Sequence, residues 1–180
     1  GAATAALFAQ RGATVVALNR RDIPDLECIK TDVTDAQAVQ AAVDETIRRH
    51  GKIDILVCNA GMGISGAAES TPEEAVRKIF ELNFFGVLNS VRAVVPHMRK
   101  AGAGTIVTVS SVAAELSIPF QSFYSATKSA VSSLSDALRI ELAPFGIKVT
   151  SVLPGDVRTD FTASREKNTA DDPAYGDRVA

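Results

Sequence analysis

The apolar positions of this chain fall into two alternating patterns. Five short runs are of strand length and dominated by apolar residues: TVVAL (14–18), LECIKTDV (26–33), IDILVC (53–58), TIVTV (105–109) and IKVTSVL (147–153). TVVAL, IDILVC and TIVTV are near-continuous apolar runs that mark buried strands, while LECIKTDV and IKVTSVL read as strands without that pattern. Helical stretches separate them. Ala2–Gln10 is rich in alanine, and Gly12 stops it. TDAQAVQAAVDETIRRHG (34–51) opens with the capping pattern Thr34-x-x-Gln37 and closes on Gly51. STPEEAVRKIFELN (70–83) starts a helix at Thr71 with Pro72 in the first helical position and two glutamates in the first turn. A second run covers Phe84–Lys100. Phe123–Ala143 repeats Ala126, Ala130, Leu134 and Leu138 at i+4 steps, and Pro144 ends it.

Strands alternating with helices imply βαβ crossovers. The expected fold is α/β, a doubly wound parallel sheet with helices on both faces, in one domain over residues 1–160. Residues 161–180 are polar and aperiodic, and read as a flap, a linker or a cut end. Two features stand out. A doubly wound domain is expected to open with a strand, yet this chain opens on a helix. Few residues separate Arg21 from the strand near Leu26, so that connection is short or residues are missing from it.

Composition narrows the function. The 180 residues are 46% hydrophobic and 22% charged, with net charge −2. That is globular composition without the basic excess of a nucleic-acid or membrane-surface protein. No apolar run approaches the roughly 20 residues of a membrane span. Cys28 and Cys58 sit in strand-like stretches without CxxC spacing, which fits buried free thiols in a reducing, cytoplasmic setting. His50 and His97 lie far apart near helix ends, so no metal site is expected.

In a parallel sheet the ligand sits at the carboxyl ends of the strands. Here those ends read Asn19-Arg20-Arg21, Asp32-Val33, Asn59-Ala60-Gly61, Ser110-Ser111 and Pro154-Gly155. Each is bland alone; together they describe a lined crevice. Downstream, FYSATKSA (123–130) sets Tyr124 and Lys128 four residues apart on one helix face. Alone this is an amphipathic tyrosine and a snorkelling lysine. A phenol is a poor base at neutral pH, and a nearby ammonium favours its ionised form.

The order Gly1…Asp32…Asn59-Ala60-Gly61…Asn83…Ser111…Tyr124-x-x-x-Lys128…Pro154-Gly155 resembles the compact, single-domain branch of the short-chain dehydrogenase/reductase family over residues 1–160. The resemblance implies a Rossmann fold whose first strand and most of the glycine-rich loop are absent from this sequence, with Gly1 as that loop's last glycine. It makes residues 161–180 the start of a mobile substrate-covering segment. It assigns proton transfer to Tyr124, the nicotinamide ribose also to Lys128, the substrate carbonyl to Ser111, and a water-holding kink to Asn83. Ser110 could be only a strand-end serine. For the cofactor it implies Gly1 at the pyrophosphate, Asp32 and Val33 at the adenine, Asn59, Ala60 and Gly61 under the adenosine ribose, and Val157 and Thr159, after Pro154 and Gly155, at the carboxamide and diphosphate. Cys58 departs from the family's second asparagine and is expected to pack as a small hydrophobe.

No acid ends the second strand, and Asn19 is followed by Arg20 and Arg21. Arginine there suits a 2′-phosphate, so NADP(H) is favoured; Asp22 argues for NAD(H). The expected function is an NADP(H)-dependent oxidoreductase interconverting a ketone or aldehyde and its alcohol by hydride transfer, with the tyrosine as general acid/base. Leu116, Ile118, Pro119 and Phe120 make the substrate side apolar. PFGIKV and NFFGVLNSVRAVVPHMR are similar to hydroxysteroid- and retinol-like members. The alternatives are an NAD(H)-dependent alcohol or hydroxysteroid-type dehydrogenase, or a non-catalytic dinucleotide-binding regulator. The family commonly pairs through the helices at 84–100 and 124–143, which implies a homodimer or homotetramer.

Overall fold

The computed structural model describes residues 1–157, 161, 165–167 and 174–175. In chain order the elements are α1 (Ala2–Gln10), β1 (Val16–Asn19), β2 (Glu27–Lys30), α2 (Ala36–His50), β3 (Ile55–Cys58), β4 (Ile64–Ser65), α3 (Glu73–Phe80), α4 (Gly86–Ala101), β5 (Gly104–Val109), α5 (Ser122–Leu142), β6 (Ile147–Val152) and β7 (Glu166–Lys167). All five expected strands form. The pairs β1–β2 and β4–β7 and the trio β3–β5–β6 are parallel throughout. The register Cys58↔Thr108 and Val109↔Val152 brings the carboxyl ends of β3, β5 and β6 to one edge. The ladder continues past it, with Ser110 N–H donating to the Val152 carbonyl at 2.8 Å and Val112 N–H to that of Pro154 at 3.1 Å.

The core explains the architecture. Ile106 of β5 is fully buried, as are Val39 of α2, Met98 of α4 and Val131 of α5. Both sides of the central strand are thus covered, which is why TIVTV shows no polar face.

Four details differ from the sequence reading or resolve it. The cap of α2 is Asp35, not Thr34: its carboxylate accepts from the N–H groups of Gln37 and Ala38 at 2.9 and 3.0 Å. Thr34 is drawn away because its N–H and hydroxyl both donate to Asp32. Likewise α3 starts at Glu73 after Pro72, since the Thr71 hydroxyl donates back to the Ala67 carbonyl. The helix expected from Phe84 starts at Gly86, because Glu81–Phe85 forms a π-helical turn joining α3 to α4. The β1–β2 connection is short: residues 20–26 hold no helix, and Asp25 turns it at φ 61°.

β1 and β3 do not pair with each other. Between them lies a cavity of about 890 Å³, lined by both strands, by Ala5 and Phe8 of α1, and by Val39 and Val87. In the doubly wound strand order 3-2-1-4-5-6, the position between these two strands is that of the first strand. The cavity stands at that position.

Candidate functional site

Lys128 is only 5% exposed and is the seventh residue of α5, in its second turn. Its ammonium donates to the Val109 carbonyl at the end of β5 (2.7 Å). Burial depresses its pKa to about 8. The ammonium lies 5.8 Å from the centre of the Tyr124 ring. The i, i+4 spacing therefore produces the proximity it implies.

Asn83 is fully buried in the π-helical turn, at the kink expected there. Its side-chain oxygen accepts from Met62 N–H (2.8 Å), and its amide donates to the Met62 carbonyl (2.9 Å) and to Thr127 Oγ1 (3.1 Å). Thr127 in turn donates to the Tyr124 carbonyl at 2.8 Å. One asparagine thus ties the loop after β3 to the turn of α5 that carries Tyr124. Gly61 is the pinch point: a Cβ there would stand 3.2 Å from Asn83 Oδ1 and 3.6 Å from Lys128 Nζ.

Ser111 is buried and caps the one-turn 3₁₀ helix Val112–Ala114, its hydroxyl accepting from Ala113 N–H at 3.1 Å. That helix packs on α5. Ser110 is structural. Its hydroxyl donates to the Lys128 carbonyl (3.0 Å) and shares a hydrogen bond with Ser132 (2.8 Å), clamping α5 to the end of β5.

The expected cofactor residues form a more open surface. Gly1 stands against Asn59, where a Cβ would approach Asn59 Nδ2 to 2.9 Å, and α1 begins directly behind it. Asn59 and Ala60 are exposed, as is Asp32, whose carboxyl is held below the ordinary range first by its hydrogen bonds to Thr34 and also by the Arg20 charge. Val33 lines the cavity. Arg20 and Arg21 are exposed at the end of β1, and Arg20 N–H donates to Asn19 Oδ1 at 3.0 Å. Asp22 pairs with Lys30 at 3.1 Å. Pro154, Gly155 and Val157 follow β6 at the same edge; Thr159 lies outside the described residues. Cys58 packs in the core, where burial pushes its thiol up to about 12. Among the described residues no cluster could hold a metal ion, and no helix is long and apolar enough to cross a membrane.

Part of the 161–180 segment lies over the site. Glu166 N–H donates to the Gly63 carbonyl at 3.0 Å, and the Phe161 ring meets Tyr124 at 5.9 Å. Sequence reasoning missed Thr127 and the Met62 backbone. A signal existed for the first: Ser125, Thr127 and Lys128 are three buried polar residues in one helix. Met62 contributes only main-chain groups, which no residue type announces.

Known proteins share the fold and much of the sequence. The family model described as short chain dehydrogenase matches residues 1–170. The chain is 44% identical, over 92% of its length, to a 3-ketodihydrosphingosine reductase of Bacteroides thetaiotaomicron, and spans 62% of that protein. A short-chain dehydrogenase from Streptomyces avermitilis superposes with a TM-score of 0.90 at 39% identity, over 98% of this chain and 69% of that one. ElxO with NADP bound superposes at 0.83 and 28% identity, covering 87% and 68%. An NAD⁺-bound xylitol dehydrogenase does so at 0.70 and 31%, covering 72% and 51%. The neighbours hold both nicotinamide dinucleotides, and their fold is the one described above. This chain belongs to the short-chain dehydrogenase family.

Proposed function

We propose that the protein containing this chain is an NADP(H)-dependent oxidoreductase that interconverts a ketone or aldehyde with its alcohol. The observation that carries the reading is the buried Lys128 ammonium beside Tyr124, enclosed by Gly61 and the Asn83 clasp. A buried cation at the mouth of a parallel sheet supports a functional rather than a stabilising role, because burying it costs stability.

The residues fit a dinucleotide: Gly1 is in close contact with Asn59 ahead of a helix N-terminus, which offers free N–H groups to a pyrophosphate. When bound, the nicotinamide supplies or accepts the hydride. Ser111 holds the substrate oxygen, where negative charge develops during reduction. Tyr124 gives its phenolic proton to that oxygen, or takes it back in the alcohol direction. Lys128 steadies the resulting phenolate and binds the ribose. Asn83 keeps the Met62 loop and the Tyr124 turn in fixed relation, and water near it would link Lys128 to solvent.

Arg20 supports NADP(H), being exposed at the end of β1, while Asp22 is engaged by Lys30. The 44% identity to a 3-ketodihydrosphingosine reductase favours a ketone with an apolar chain, and that compound is the first to try. Ile140 on α5 is 77% exposed and supports pairing of two copies through this helix. The test is NADPH oxidation by the purified full-length protein with a ketone panel. Turnover in wild type and its loss in Tyr124→Phe are expected; persistent turnover in that variant would remove the tyrosine from the mechanism.

A further inference from the structure

Asn83 has a counterpart on the same helical run. In NFFGVLN (83–89) a second asparagine, Asn89, stands half-buried in α4. Its side-chain amide donates to the Val33 carbonyl at 3.1 Å and to that of Thr34 at 3.5 Å. Three residues earlier, Gly86 is buried against the same valine: a Cβ there would stand 2.9 Å from Val33 Cγ2. Residues at i and i+3 share a helix face. One face of α4 thus closes on one residue of the loop between β2 and α2, by a hydrogen bond and by close packing.

The loop's internal hydrogen bonds run elsewhere. Asp35 N–H donates to the Asp32 carbonyl at 3.1 Å, and the N–H and hydroxyl of Thr34 both donate to Asp32 Oδ1. These bonds shape the turn, and the bond from Asn89 ties it to α4. The Asp32 carboxyl is held below the ordinary range first by Thr34 and also by the Arg20 charge, so Arg20 and Asp32 border the same space. Val33 lines the neighbouring cavity together with Asn19 and Ala60. The NADP(H) reading gives the 2′-phosphate to Arg20. That phosphate and the adenine are carried by one ribose, so the base lies within reach of what flanks Arg20. Asp32 offers a carboxylate acceptor to the amino group of the base, and Val33 an apolar face to its ring.

We propose that Asn89 is a positioning residue for the cofactor: from α4 it fixes the Asp32–Val33 turn in the place that receives the adenine. The proposal rests on the NADP(H) reading and adds to it a residue outside the binding wall. NFFGVLN then serves two parts of the site by one device. Asn83 grips the Met62 peptide group near the turn that carries Tyr124, and Asn89 grips the Val33 carbonyl beside Asp32. Each carboxamide reaches main-chain atoms of a loop that follows a strand, β3 for the first and β2 for the second. Adenine is common to NADPH and NADH, so Asn89 bears on both alike, whereas Arg20 bears on NADPH alone.

The experiment measures binding of 2′,5′-ADP and 5′-AMP to the full-length protein by calorimetry, with NADPH and NADH kinetics beside it, in wild type, Asn89→Leu, Asn89→Asp and Gly86→Ala. Leucine keeps the bulk without the donor. Aspartate keeps the shape but turns an acceptor toward the carbonyl, and it serves where leucine disturbs the packing. Both Asn89 variants should weaken each adenosine ligand about fivefold and raise KM for NADPH and NADH by the same factor, with kcat at saturation unchanged. Gly86→Ala pushes on Val33 without removing a hydrogen bond, and should weaken both ligands as well. Unchanged affinity for both ligands in the two Asn89 variants overturns the proposal, as does a fall in kcat without a change in affinity. Wild type that binds 2′,5′-ADP no tighter than 5′-AMP overturns the NADP(H) reading instead, and the effect of Asn89→Leu on 5′-AMP still decides the role of Asn89. Wild type that binds neither overturns both.

Discussion

The half of the molecule built on β3, β5 and β6 and the half built on α1, β1 and β2 are held together by different means. In the first, Lys128, Asn83, Thr108 and Ser135 are buried polar groups, and each has a partner; the Thr108 and Ser135 hydroxyls lie 2.8 Å apart inside the core. In the second, α1 buries none of its residues, and β1 faces the 890 Å³ cavity. A satisfied buried network fixes geometry, because every alternative leaves a polar group unpaired. The difference teaches which part of the site is fixed by interlocking side chains. Proton transfer needs atoms placed to a fraction of an ångström, so its residues sit in the interlocked half. In the second half the cavity stands at the place of a first strand, and α1 lies beside it.

The largest effects should therefore follow from changes on the interlocked side. Tyr124→Phe should lower kcat by roughly 10²–10⁴-fold while NADPH binding, followed by its fluorescence, persists. Equal loss of both would make the tyrosine a binding residue. Lys128→Met should have a kinetic effect of similar order and a distinctive pH signature. Burial lowers the folded-state pKa of Lys128 to about 8, against about 10.4 for an unfolded lysine. Below pH 8 both states carry the proton, and the burial penalty is fully present. Between about pH 8 and 10 the unfolded state binds more protons, so this group's contribution raises stability with pH. Urea midpoints across that window should show the rise in wild type and not in the variant. If the two curves run parallel, the lysine is solvated in solution.

Much of this was legible in the sequence, and what was not has physical reasons. TIVTV announced a buried strand because both its faces are covered; IKVTSVL alternates instead, with Ile147 and Val149 buried and Lys148, Thr150 and Val152 exposed. Tyr124 and Lys128 announced each other through helical spacing. The family resemblance implies a kink at Asn83, but not its π-helical form over Glu81–Phe85 nor its partner Met62, which is distant in sequence and offers only main-chain atoms. The two-residue strands β4 and β7 are too short to carry a period. Thr34 looked like a cap until Asp32 competed for it.

Smaller effects sharpen the same contrast. Asn83→Ala leaves the Met62 N–H and carbonyl without their partner, at a cost of roughly 1–3 kcal/mol for each buried group; denaturant unfolding reads it. On the open side, Arg20→Gln should raise KM for NADPH by about tenfold or more and leave NADH unaffected, the loss of one charge-assisted contact. A matching change with NADH would detach Arg20 from the 2′-phosphate. The smallest effect expected is Asp35→Ala, about 1 kcal/mol from the cap of α2 with little change in kinetics. Should that variant damage turnover as much as Asn83→Ala, the division between the halves would fail.

Asn83 has one more consequence. Its carboxamide faces the Met62 peptide group with oxygen to N–H and nitrogen to carbonyl, the exchange that two residues of adjoining strands make. The side chain thus acts as a sheet partner one residue long, borrowed from a helix. Aspartate has the length but no donor, glutamine has both groups but an extra methylene, and serine reaches neither atom. The position is confined to a single amino acid by shape and bonding, before any demand from chemistry is added.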